Sequence, residues 1–195
     1  MDIDRHPHLL QAANETALFQ DMVLNAEYDA HIRLPHALEG HLVFLLLRFL
    51  RGGKRLSGAV ALHYLEGINK RGSAQIDALS DTGDACLLLA GMFPEQARKR
   101  MVNAGYFAQI GLGCYHFLAD KMMPSRGEIY RQLCDGFGEM LGVLRTLHHY
   151  EKNSMDNMML DAYELWEHGG CSTAFAELNA VNGAIPVKNE QQFML

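Results

Sequence analysis

Apolar positions recur along the chain at helical spacing, at i, i+3 or i+4, and i+7. Leu10, Ala13, Ala17 and Leu24 fall near one face of a helix predicted over about 8–30. Pro35 marks a break and suits the first turn of a second helix, about 36–50. From Leu42 to Phe49 this second helix is apolar almost all round, the pattern of a central, buried helix. Gly52-Gly53 ends it, and a third helix over about 54–68 repeats Leu56, Ala59 with Val60, His63 and Gly67. Ser73 reads as the N-cap of a fourth helix, which runs to Gly91 on Ile76, Leu79, Gly83, Cys86 with Leu87, and Ala90. Phe93-Pro94-Glu95 forces a corner, because the residue before a proline is pushed out of the α region. Pro94 then opens a fifth helix, in one piece or two, reaching Lys121.

Met123-Pro124-Ser125 is the next break, with Ser125 as cap of a sixth helix to about Glu151. Asn153-Ser154 separates a seventh, about 155–168, carrying Met155, Met159, Ala162 and Trp166 and closed by Gly169-Gly170. Ser172 caps a short eighth that stops at Asn182-Gly183, before an extended tail from Ile185-Pro186-Val187. Sustained alternation of β-branched residues is missing. The expected fold is all-α: a single multi-helix bundle of about eight helices with Leu42–Leu50 at its centre. Residues 1–195 read as one domain, with 152–195 as a candidate helical subregion.

Glycine adds a constraint. Ala104, Gly105, Ala108, Gly111 and Gly113 lie in one predicted helix, and Gly136, Gly138 and Gly142 in the next. Each glycine costs a helix interior roughly 1 kcal/mol relative to alanine. So many of them predict close backbone approach between neighbouring helices.

Composition agrees with a packed core: of 195 residues, 49% are apolar and 21% charged. The formal net charge is -6, and it is unevenly placed. Residues 151–195 hold two lysines against seven acids, whereas Gly40–Leu65 carries Arg48, Arg51, Lys54 and Arg55 and no acid. The acidic C-terminal helices are therefore expected to pack near a basic surface, either the Arg48–Arg55 turn of the same chain or that of a second subunit. An overall acidic balance argues against nucleic acid as the main partner. The most apolar run, Leu42–Leu50, is nine residues and includes Arg48, too short to span a membrane. Met1-Asp2-Ile3-Asp4-Arg5-His6-Pro7 is polar and acidic, unlike a secretory signal. Cys86, Cys114, Cys134 and Cys171 are widely separated and read as reduced, buried small hydrophobes. A cytoplasmic bacterial protein is the expectation.

The stretch Gly83–Asp120 resembles a segment of a group of bacterial all-helical proteins with no established activity. The shared pattern is Gly83-Asp84, an apolar run, Gly91-x-Phe93-Pro94-Glu95, the basic cluster Arg98-Lys99-Arg100, Tyr106-Phe107, and Gly111-x-x-x-Tyr115. The resemblance implies an all-α bacterial protein and carries over no catalytic residues.

Chemistry-bearing motifs are sparse. Neither Glu-x-x-His nor His-Glu-x-x-His occurs, and His36 and His41 are five apart, about 140° around a helix, so no metal site is expected. No nucleophile elbow, phosphate-binding loop or Cys-x-x-Cys occurs, and no cofactor is expected. His63 and His116 read as core or interface histidines. Asp77, Asp81 and Asp84 share one helical stripe, and Asp84, followed by Ala85-Cys86-Leu87-Leu88-Leu89, lies at the edge of the core. A buried aspartate needs a cationic or hydrogen-bonding partner, for which Arg98, Tyr106 and Tyr115 are the candidates. With His116 these residues form a candidate polar hub, structural or ligand-binding. Arg51, Lys54 and Arg55 flank a glycine turn read as the start of a helix, where an anion can bind.

The functional expectation is a non-enzymatic interaction or regulatory protein acting as a homodimer. It rests on the missing catalytic signatures and on late helices rich in glycine, methionine (Met155, Met158, Met159) and Trp166. The alternatives are a small-molecule-binding protein or enzyme with a pocket near Asp84, Tyr106 and Tyr115, and a nucleic-acid-associated regulator using Arg48–Arg55.

Overall fold

The computed structural model of the chain describes residues 7–51, 60–99, 102–151 and 158–182. Helix α1 (Pro7–Ala30) ends where His31 takes a left-handed φ of 53°. The turn is held from within: the Leu34 N–H donates to the buried Glu27 carboxylate at 3.0 Å, and the Ile32 N–H to the Glu27 carbonyl at 2.9 Å. Burial raises the Glu27 carboxyl against the lowering effect of the Leu34 bond. Pro35, extended at φ -60°, stands at the N-cap of α2 (His36–Leu50) rather than inside its first turn.

Helix α2 buries Leu38, Leu42, Val43, Leu45, Leu46 and Leu47 but leaves Phe44 65% and Leu50 59% exposed. It is therefore not the centre of the bundle, contrary to the expectation from its composition. That place belongs to α4 (Ser73–Gly91), whose residues Cys86 to Gly91 are all buried. Gly72, at φ +62°, is the N-cap of α4, so Ser73 is its first helical residue and not its cap. Glycine meets that left-handed turn without the Cβ clash a serine would bring.

Helix α3 (Val60–Asn69) packs on α4. The predicted fifth helix is two pieces, α5 (Pro94–Lys99) and α6 (Ala104–Lys121). The Asn103 side chain caps α6 by accepting from the Tyr106 N–H at 2.7 Å. The predicted sixth helix divides at Gly136 into α7 (Pro124–Asp135) and α8 (Phe137–Glu151). A β-carbon at Gly136 would collide with the Leu38 side chain of α2, so the break lies where α2 presses closest. Met123, not Ser125, stands at the N-cap of α7, because Pro124 takes the first helical position. Helices α9 (Met158–Gly169) and α10 (Ser172–Asn182) turn through Gly170 at φ +67°.

These ten helices, with no strand among the described residues, form an all-α bundle. Helix α4 packs on α3, α6 and α8, α6 also on α7 and α9, α1 on α2 and α8, and α10 on α8 and α9. The main core joins α2, α4, α6 and α8 through Leu42, Leu87, Phe107, Phe137 and Leu141. A smaller cluster of Leu79, Cys114 and Leu118 fills the α3 end of α4 and α6. Close backbone approach is present where glycines recur. A β-carbon at Gly91 would lie 2.7 Å from Leu144 Cβ, and one at Gly111 3.1 Å from Cys86 Cβ and from the Phe137 ring. None of the described helices is long and apolar enough to cross a membrane. The expected end of α2 at Gly52-Gly53, the predicted residues 54–59, Met155, and the tail from Ile185 lie outside the described residues.

Two glycines separate packing from propensity. A β-carbon at Gly138 would run into the Gly170 carbonyl, whereas one at Gly113 meets only Tyr64, at 3.6 Å. Gly138→Ala is expected to destabilise the fold by about 3 kcal/mol or more, since backbone cannot move aside cheaply. Gly113→Ala is expected to stabilise it by about 0.5–1 kcal/mol through helix propensity. Urea denaturation of the two variants measures both signs.

Candidate functional site

The most concentrated polar chemistry in the described structure surrounds Asp84. Three helices build it. On α4, Gly83 precedes the aspartate, and the missing side chain admits the Tyr115 ring of α6; a β-carbon there would lie 2.6 Å from Tyr115 Cε1. The Tyr115 hydroxyl, wholly buried, then donates to Asp84 Oδ1 at 2.6 Å. From α2, Arg48 donates through Nη2 to Asp84 Oδ2, and its Nη1 lies 3.6 Å from Asp81 Oδ1. His41, two turns before Arg48 on the same stripe, places Nε2 3.0 Å from Asp84 Oδ1. That nitrogen is buried and lies off the line of a hydrogen bond, so its contact with the carboxylate is one of proximity rather than an aligned bond. The His41 and Tyr115 rings meet edge to face at 6.3 Å, and Phe137 stands edge-on to Tyr115 at 6.0 Å.

The electrostatics follow from burial and pairing. Desolvation alone pushes the Asp84 carboxyl up. The His41 ring, the Tyr115 hydroxyl and the Arg48 charge outweigh it and hold the carboxyl below the ordinary carboxylate value. Tyr115 moves the other way, well above its usual range, because burial and the adjacent Asp84 charge both oppose a phenolate. Arg48 loses some stability to desolvation, but the Asp84 charge and hydrogen bond dominate and secure its proton. The result is an ionised carboxylate with both oxygens engaged, a tyrosine that keeps its proton, and an arginine half in solvent. Such a group clamps α2, α4 and α6 together. The cysteines are equally unreactive: burial pushes Cys114 up to about 12 and Cys134 up to about 11, so little thiolate exists at neutral pH. Among the described residues no group of three His, Cys, Asp or Glu is placed to hold a metal ion.

Of the five candidates for the polar hub, the structure brings Asp84 and Tyr115 together. Tyr106 lies in the first turn of α6 with its ring against Phe107, about 13 Å along the helix from Tyr115 at 1.5 Å per residue. His116 is exposed, as is His63, so neither is a core histidine. The Arg98 side chain lies outside the described residues, and the cation on Asp84 is Arg48 instead. Of the anion-site trio, Arg51 is the C-cap of α2, not the start of a helix, and it pairs with Glu15 of α1 through Nε at 3.2 Å and Nη2 at 2.9 Å. A helix C-terminus favours cations and not anions. Lys54 and Arg55 lie outside the described residues.

Sequence reasoning missed His41 and Arg48 as partners of Asp84, although their seven-residue spacing places both on one stripe of α2. It also missed Arg145. This buried arginine of α8 holds Glu177 of α10 in a fork, Nε to Oε1 at 3.0 Å and Nη2 to Oε2 at 2.8 Å. A lone arginine between Leu144 and Thr146 in an apolar helix was the available signal. Of the described acids of the C-terminal helices, Glu177 meets Arg145 and Glu167 lies 3.6 Å from His168, while Arg48 and Arg51 take Asp84 and Glu15. Comparison with family models, curated proteins and solved structures finds no match.

Asp84→Ala leaves a buried phenol hydroxyl unpaired and is expected to destabilise the protein by about 3 kcal/mol. Arg48→Ala leaves the buried carboxylate without its cation but opens it to water, since the side chain removed is 53% exposed, and is expected to cost less, about 2 kcal/mol. Denaturant titration distinguishes them. The pH dependence has a definite sign. The folded Asp84 carboxyl sits below its ordinary 3.8, so its stabilisation is complete above that value and lost as pH falls below it. Wild type is expected to lose stability more steeply than Asp84→Asn on acidification below pH 3.8, the two curves converging at the acid end.

Proposed function

We propose that this chain is a non-enzymatic bacterial interaction module, cytoplasmic and regulatory, that acts by pairing with a second copy of itself through the outer face of α1 and α2. The observation that carries the reading is the exposure of Phe44 and Leu50 on a helix otherwise given to the core. Leu18 and Leu24 are exposed on the neighbouring α1. Large apolar side chains left exposed on two adjacent helices favour a protein partner over water. Phe44, Arg48 and Arg51 follow one stripe of α2 at i, i+4 and i+7. Arg51 reaches Glu15, which is one turn from Leu18. The surface therefore combines apolar groups with a neighbouring cation and anion. Across a two-fold axis the exposed apolar groups of one copy can meet those of the other, with the Arg51–Glu15 pair as a polar rim.

Other readings find less support. Asp84 and Tyr115 are buried and fully engaged with each other and with Arg48, which favours a structural node over a substrate pocket. Arg48 and Arg51 are held by carboxylates, which reduces the charge available to a phosphate backbone. Trp166 packs on Phe175 of α10 with ring centroids 5.5 Å apart, so this aromatic of the late helices is used within the chain.

Sedimentation velocity tests the reading. Wild type is expected to sediment as a dimer, and the double variant Leu18→Glu, Phe44→Glu as a monomer with unchanged helical circular dichroism. A wild type that stays monomeric at every accessible concentration, or a folded variant that stays dimeric, overturns it.

A further inference from the structure

A cleft of about 230 Å³ opens at the far end of the bundle, where the start of α4 meets the α6–α7 corner. Ile76, Leu118, Met122 and Met123 give it apolar walls, and Lys121 and Arg126 stand at its edge. Leu118 belongs to the small core cluster and is buried, while Lys121, Arg126 and Met123 are exposed, so the cleft runs from a charged rim to an apolar floor. Among the described residues neither cation pairs with a carboxylate; Lys121 lies over the Phe117 ring at 5.3 Å and Arg126 is left to solvent. The adjoining Lys70 and Arg71, which lead into Gly72 on the cleft wall, are likewise exposed and without a described carboxylate partner. Four cations without a described carboxylate partner stand at one corner in a chain of net charge -6, whereas Arg48, Arg51, Arg131 and Arg145 are matched to acids and Arg33, likewise without a described salt bridge, stands elsewhere. Asp77 and Asp120, the acids nearest in sequence, do not line the cleft.

We propose that this cleft binds a small anionic amphiphile, with a carboxylate or phosphate head on Lys121 and Arg126 and an apolar tail on Ile76, Leu118 and the two methionines. The chemistry on each side of the rim selects both halves. The cations attract a charged head at an exposed site, where they are already solvated and a planar guanidinium can grip two oxygens. The methionines shape themselves to an alkyl group better than branched side chains do. The volume corresponds to roughly eight waters at ~30 Å³ each, which suits an alkyl tail of about eight carbons. Helix α4 begins beside the cleft without a side-chain cap or an acid in its first turn, so its end adds no repulsion to the head group. This site lies away from the α1–α2 face and does not depend on dimerisation.

Isothermal titration with octanoate, octyl phosphate, octanol and inorganic phosphate tests the proposal on the full chain. Octanoate or octyl phosphate is expected to bind, and the stronger of the two identifies the head group. Octanol and inorganic phosphate are expected to bind at least about tenfold more weakly, because each lacks one half of the ligand. The double variant Lys121→Glu, Arg126→Glu alters exposed positions. It is expected to lose binding by about tenfold or more with the melting temperature of the free protein preserved. Arg33→Glu, an exposed reversal elsewhere, is expected to leave binding unchanged. Binding of the amphiphiles should also weaken as salt rises. The proposal is overturned if neither amphiphile binds, if octanol or inorganic phosphate binds as well as they do, or if the double reversal leaves affinity intact.

Discussion

A carboxylate inside a helical bundle has to be met by donors from other helices, and those donors then fix where the helices sit. Asp84 imposes that constraint here. Its two oxygens are satisfied from opposite sides, by Tyr115 of α6 and by Arg48 of α2, so the three helices share one polar node where they meet. Apolar packing tolerates small sliding of one helix on another, whereas a hydrogen bond of 2.6 Å does not. The node thus sets the register that the leucines of α2 and α4 then fill. Gly83 belongs to the same device, because the tyrosine reaches the carboxylate only where α4 has no side chain in its way.

The class of fold was legible because the apolar repeat is strong and the breaks are chemically sharp. Pro35, Pro94 and Pro124 each stand at the start of a helix. What periodicity does not report is which helix lies in the middle. Leu42–Leu50 looks more central than Ser73–Gly91 by composition, yet Phe44 and Leu50 face outward. Helix α4 becomes central by being narrow: Gly83 and Gly91 let α6 and α8 approach from two sides, and the polar residues among its apolar ones are absorbed by partners. Centrality is decided by how close neighbours can come as well as by hydropathy.

The site was partly legible for a related reason. That Asp84 is buried and needs a partner follows from the apolar run after it, and Tyr115 was among the candidates. Choosing Arg48 over Arg98 requires knowing that α2 crosses α4 at that level, which no local pattern encodes. The serines were misplaced by one position at α4 and by two at α7 because Gly72 and Pro124 fit those helix starts better than a side-chain cap does.

The polar ties share a scale. Arg48 with Asp84 and Arg51 with Glu15 each span 36 residues, Arg145 with Glu177 spans 32, and Tyr115 with Asp84 spans 31. Each closes a loop about one helical hairpin long, and the entropy of closing such loops grows only with the logarithm of their length. The chain can therefore assemble in successive hairpin-sized steps, each sealed by its own tie. The same modularity works in reverse. Helix α10 is anchored to α8 by the buried Arg145 fork, so it can detach in a local opening that leaves the Asp84 node intact, and amide exchange in α10 would then outpace that in α4.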